Sequence, residues 1–184
     1  MAGVITSSQI AHIKKRGIFF DANIILYLFW PSNPQLEDEY SGIFGKILRQ
    51  KNDMYVDFIV LSEAVNRVVR IEHRKYIQSM KLNVKKMPFK KYRNIGAGKE
   101  VINDIYQIIQ KRIFPLFKIT GKEFTRKDIN GFLNIDSLDF NDKAIASICK
   151  ENDFVLITHD SDFASCKLDI LTANNKIIAN VKQN

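Results

Sequence analysis

The stretch DFNDKAIASICKENDFVLITHDSDF, residues 139–163, decides how the chain is read. Asp139 is a helix-capping residue type, and behind it Ala144, Ile145 and Ile148 recur at the spacing of a helix with one apolar face. Asp142 falls in the first turn, where unpaired N–H groups and the helix dipole favour a carboxylate. FVLIT follows directly, short and apolar between polar residues, and reads as a buried strand. HDSDF then forms a polar turn carrying His159, Asp160 and Asp162. A helix feeding a buried strand is part of a parallel α/β unit, and this strand ends in acids.

Working towards the N-terminus, GIFFDANII (residues 17–25) repeats the theme: Gly17 to Phe20 predicts the first strand and Asp21 ends it. A mostly apolar segment, Ile24 to Trp30, is halted by Pro31 and Pro34. Met54 to Leu61 predicts the second strand, followed by Ser62 as cap of a helix through EAVNRVVRIEHRKY with Glu63 in its first turn. Val101, Ile105, Ile108 and Ile109 mark an amphipathic helix that Pro115 must end or kink, and Leu116 to Ile119 predicts a short third strand. Thr120 and Glu123 stand at capping-box spacing, so TGKEFTRKDINGF predicts a helix closing near Gly131. The alternation predicts one α/β domain over 1–184, with a central, mostly parallel twisted sheet flanked by helices.

Asp21, Glu63 and Asp160 all follow predicted strands, and in open α/β sheets ligands bind at the carboxyl ends of strands. Asp142 joins them if its helix starts at the same edge. Taken singly, each acid has an ordinary explanation as a helix cap or turn residue. Asp21 is the hardest to explain so, because its neighbours Phe19, Phe20, Ile24 and Ile25 suggest burial and no Lys or Arg adjoins it. Desolvating a carboxylate costs several kcal/mol unless a partner offsets it. Clustered carboxylates repel one another, and a divalent cation resolves the conflict. Oxygen donors without His or Cys favour Mg²⁺ or Mn²⁺, ions that activate water for phosphodiester hydrolysis.

The chain has 184 residues, a net charge of +8 and 46% hydrophobic residues, which suits a folded protein with a polyanionic partner. The excess is concentrated in KLNVKKMPFKKYRNIGAGK (residues 81–99), which contains no acid. There Lys85, Lys86, Lys90, Lys91 and Arg93 are candidate RNA-phosphate contacts, with Phe89 or Tyr92 as a stacking platform, although a charge run is as often a solvated face. Cys149 and Cys166 lack metal or disulfide spacing and read as small apolar fillers. His12, His73 and His159 are too scattered for a metal site, and GKE at 121–123 lacks P-loop spacing. The N-terminal order, apolar before basic, is the reverse of a signal peptide, and no apolar run approaches the roughly 18 residues of a membrane span. The expected location is the cytoplasm.

FFDANII (19–25), VLSEAVNR (60–67) and the 139–163 stretch resemble the PIN-domain nucleases, including the VapC-type toxins of toxin–antitoxin pairs. The resemblance covers Gly17 to Glu72 and Leu116 to Phe163, and the last segment is its most specific part. It places the family's four acids on Asp21, Glu63, Asp142 and Asp160, a variable fifth on Asp162, and the polar residues that orient metal and water on Asn23 and Thr158. It implies a Mg²⁺- or Mn²⁺-dependent endoribonuclease, commonly a homodimer and often held by a cognate antitoxin. Two departures stand out: the chain is longer than a compact toxin, with Tyr76 to Gly98 as an insertion, and His159 stands where Arg is frequent. Alternatives are an RNA-processing PIN nuclease without an antitoxin and a non-catalytic nucleic-acid- or protein-binding module. A haloacid-dehalogenase-type phosphatase would need a second Asp where Asn23 stands.

Overall fold

A computed structural model of the chain describes residues 3–181, so Met1, Ala2 and the last residues of the expected 1–184 span, 182–184, lie outside the described residues. Six strands run in the order β1 (Val4–Ile5), β2 (Ile18–Phe20), β3 (Met54–Val56), β4 (Lys118–Ile119), β5 (Val155–Ile157) and β6 (Ile170–Leu171). Across the sheet they lie β1-β6-β5-β2-β3-β4, and every pair is parallel, stricter than the mostly parallel sheet expected. The helices are α1 (Ala22–Phe29), α2 (Pro34–Gln50), α3 (Phe58–Ser79), α4 (Phe89–Tyr92), α5 (Gly96–Ile108), α6 (Arg126–Phe132), α7 (Phe140–Glu151) and α8 (Asn175–Val181). Every residue of β2 and β5 is buried, as expected of central parallel strands covered on both faces, and Cys149 fills the core against them.

From β2 the chain builds outward to β3 and β4, whereas from β5 it builds the other way to β6. The β2/β5 boundary is therefore the switch point of the sheet, where a crevice opens at the carboxyl ends. α7 leads into the parallel strand β5, which puts its first turn at that same carboxyl edge. Strand order thus brings Asp21, Asp142 and Asp160 to one place.

Several local expectations are corrected. The second strand stops at Val56 rather than Leu61, because the Asp57 carboxylate accepts the Val60 N–H at 2.8 Å and starts α3 at Phe58. Ser62 is therefore no cap, and Glu63 lies in the second turn. Thr120 and Glu123 form no capping box, since the Thr120 N–H extends the sheet edge by donating to Val56 O. The box forms instead between Thr125 and Asp128 and opens α6. Pro34 does not halt the chain; with Asn33 accepting the Leu36 N–H, it opens the 17-residue α2.

The basic stretch is mostly ordered against α3. His73 is buried and bonds Met87 O at 2.8 Å through Nε2, and its ring packs on Tyr92 at 5.0 Å between centroids. Tyr92 is 2% exposed, so it is no stacking platform for a base. Among the described residues no helix is long and apolar enough to cross a membrane.

Candidate active site

Asp21 ends β2 and caps α1, and it is 5% exposed. Its Oδ1 accepts the Ala22 N–H, while Oδ2 accepts both the Thr158 hydroxyl and the Asn23 amide, all at 2.6 Å. A carboxylate has about four acceptor positions, so these three donors leave one, on Oδ1. The hydrogen bonds do not balance the loss of water: burial pushes the carboxyl up to about 6, and the Glu63 charge adds to it.

Thr158 is fully buried at the end of β5 and ties the centre together. Its hydroxyl donates to Asp21 and accepts the Asp160 N–H at 3.0 Å, while Asn23 Oδ1 accepts the His159 N–H at 3.2 Å. Asp160 in turn caps a 3₁₀ turn, Ser161–Ser165, by accepting the Asp162 N–H at 3.0 Å. Asn23, Thr158 and Asp160 are thus brought together with Asp21. Asp162 enters through its backbone only, and its side chain is exposed.

Asp142 sits in the first turn of α7, closing a capping box with Asp139, whose N–H it accepts at a long 3.3 Å. Burial and the charges of Asp139, Asp21 and Asp160 push its carboxyl up to about 7. Glu63 is half-buried and its Oε1 lies 2.7 Å from the Arg67 guanidinium, one helical turn on. The acids therefore feel one another, yet among the described residues no three His, Cys, Asp or Glu side chains stand together as a ready cage for one ion. Two of the four are engaged elsewhere, Glu63 with Arg67 and Asp142 with the α7 cap.

Two contributors escape the sequence reading. Tyr40 of α2 is fully buried, with its hydroxyl 2.9 Å from His159 Nδ1; it donates to Thr158 O and accepts the Ala173 N–H. It pins the end of β5 from behind, and burial pushes it up to about 12. Burial also pushes the His159 imidazole below its usual range, against the opposing charges of Glu39 and Asp160. The only sign of Tyr40 was the Asn-Pro start of α2. Arg67 stands four residues after Glu63 on one helix, a spacing that allows the pair without showing that it forms. Lys85, Lys86, Lys90, Lys91 and Arg93 are all exposed, none of them beside the acids.

A family profile described as PIN domain matches residues 18–167. Among solved structures the chain is similar to FitAcB from Neisseria gonorrhoeae, at 16% identity and a TM-score of 0.53, over 84% of this chain and 96% of that one. It is also similar to VapBC2 from Rickettsia felis bound to a DNA fragment from their promoter, at 15% identity and a TM-score of 0.49, over 85% of this chain and 98% of that one. No curated protein sequence matches the chain. At 16% identity the likeness to FitAcB speaks to the fold alone.

Proposed function

Since the chain belongs to the PIN domain family, we propose that it is a metal-dependent endoribonuclease that hydrolyses RNA phosphodiester bonds and serves as the toxin of a toxin–antitoxin pair. The observation that carries the reading is a pair of carboxyls at the switch point, Asp21 and Asp142, both held above the ordinary range by burial and by other acids. Desolvated carboxyls beside other acids favour a further counter-charge, and their all-oxygen donor set suits Mg²⁺ or Mn²⁺. When bound, the ion supplies a lowered pKa for water and a counter-charge for the leaving oxygen.

The chain's own residues do the positioning. Thr158 and Asn23 fix the Asp21 carboxylate in one orientation and leave a single acceptor position on Oδ1. Asp160 and Asp142 add further oxygens, the Asp160 carboxylate oriented by the Asp162 N–H and that of Asp142 by the Asp139 N–H of the α7 cap. Glu63 joins by exchanging Arg67 for the ion or for its water. Arg67 and the outer cations Lys85, Lys86, Lys90, Lys91 and Arg93 meet RNA phosphates, which reconciles an acidic centre with a basic chain. A cognate antitoxin and a second copy of the chain belong to the proposal on the family resemblance. So does the reading of 76–98 as an insertion.

Purified protein should cleave RNA with Mn²⁺, lose cleavage with EDTA, and lose about a hundredfold or more with Asp21→Asn. Full cleavage by that variant would overturn the mechanism. The Glu63–Arg67 ion pair, which ties one of the four acids to a cation, favours, as second reading, a binding module without catalysis. RNA binding without Mn²⁺-dependent cleavage would support that reading.

A further inference from the structure

Phe58 opens α3 with its ring 80% exposed, directly after the buried Asp57 that caps the helix. A lone exposed ring is ordinary on a protein surface, but the company of this one is not. It lines a cavity of about 410 Å³ together with Glu63, Arg67, Arg70 and Asn141, the residue before Asp142. A second cavity, of about 250 Å³, is lined by Asn23, Tyr27, Arg67 and Asp160. Arg67 lines both cavities, and each contains one of the four acids.

The first cavity has the chemistry of a nucleotide seat: an aromatic face, two guanidinium groups and a side-chain amide. Arg70 also stands with its guanidinium 4.4 Å from the centre of the Phe89 ring, which Arg93 approaches at 6.0 Å. Phe89 is thus occupied by cations rather than free for a base, and it joins the cavity to the basic segment. Arg67 and Arg70 share the cavity with Glu63, and Arg70 and Arg93 share the Phe89 ring. The overall charge of +8 makes a polyanion the fitting occupant.

We propose that the Phe58–Arg67–Arg70 cavity seats one unpaired nucleotide beside the scissile phosphate, its base stacked on Phe58 and its phosphate met by the two arginines. The word "scissile" rests on the nuclease reading above; the seat itself does not. A base stacked on a side chain has left its partner strand, so the substrate is single-stranded where it is held.

The test is binding of a short fluorescent single-stranded RNA of mixed sequence in EDTA, alongside the same RNA as a duplex, by wild type, Phe58→Ala, Phe58→Trp and Arg70→Ala. Phe58→Ala should weaken single-strand binding about tenfold, Phe58→Trp should restore it, and duplex binding should not respond to either. Arg70→Ala should weaken binding and flatten its salt dependence. Since Phe58 is exposed, thermal melting should be the same in all Phe58 variants. Unchanged single-strand binding by Phe58→Ala overturns the seat, as does a loss confined to DNA of the same sequence or to a co-purifying protein. Where Mn²⁺-dependent cleavage is seen, Phe58→Ala should raise KM and leave kcat near wild type. Phe58-dependent binding without cleavage would sink the nuclease reading and leave the seat standing. Cleavage that ignores Phe58 would do the reverse.

Discussion

At the scale of the residue, Asp21 shows how far hydrogen bonds go towards stabilising a buried charge. The sequence pointed to a shared cation as the partner that offsets its burial, and the folded chain also supplies three donors at 2.6 Å. Burial still wins, because the carboxyl stays at about 6 against an ordinary 3.8. A carboxyl raised in the folded state binds its proton more tightly there than in the unfolded chain. Its contribution is therefore fully present below the unfolded value and is lost as pH rises through the folded one. Without divalent ions, stability should fall between about pH 4 and about pH 7, by about 3 kcal/mol at most from Asp21, with Asp142 adding in the same direction. Melting in EDTA across that range checks it, and flat stability would contradict it. Thr158→Val removes a donor to Asp21 while keeping the shape. It should cost about 10–100-fold in metal affinity or activity, read by Mn²⁺ titration. The burial of Asp21 was legible from its apolar neighbours. Its pairing with Thr158 became concrete only when β5 was found beside β2.

At the scale of the element, legibility followed the strength of local signals. α7 was readable because Asp139 caps it and an apolar strand follows within a few residues. α2 was missed because two prolines nearby read as a stop, although Pro at the first helical position after Asn is a start signal. With α2 went Tyr40, whose hydroxyl holds both the β5 and β6 ends. Tyr40→Phe should cost about 1–3 kcal/mol in thermal or urea unfolding, because the Ala173 N–H loses a buried acceptor. β1 and β6 have two residues each, too few for any periodicity, and their pairing with the sheet is decided by tertiary contacts. The basic segment is punctuated by Pro88 and by Asn83, Asn94, Gly96 and Gly98, yet α4 and the start of α5 form there. A Cβ on Gly98 would collide with the Tyr92 carbonyl oxygen. Gly98→Ala should therefore destabilise by about 1–3 kcal/mol, measured by denaturant unfolding, despite the better helix propensity of Ala.

At the scale of the whole molecule, the account is one of charge arranged by topology. A parallel sheet that reverses its building direction between β2 and β5 gathers acids from distant parts of the chain at one edge. Positive charge lies outside, exposed on α3 and the 81–99 stretch. The fold class was legible, and so was the approach of these acids to one sheet edge, because strand ends and helix starts carry them in sequence order. Their side-chain commitments were not, since the Glu63–Arg67 pair and the Asp142 cap depend on rotamers rather than on spacing. The central claim is that these acids hold a divalent cation, and the most direct test is calorimetric titration of Mn²⁺ into the RNA-free protein and its Asp21→Asn and Asp142→Asn variants. The account predicts wild-type binding that strengthens as pH rises through about 7, where both carboxyls ionise, and that either substitution weakens at least tenfold. Wild-type Mn²⁺ binding that is absent, or unchanged by both substitutions, would contradict it.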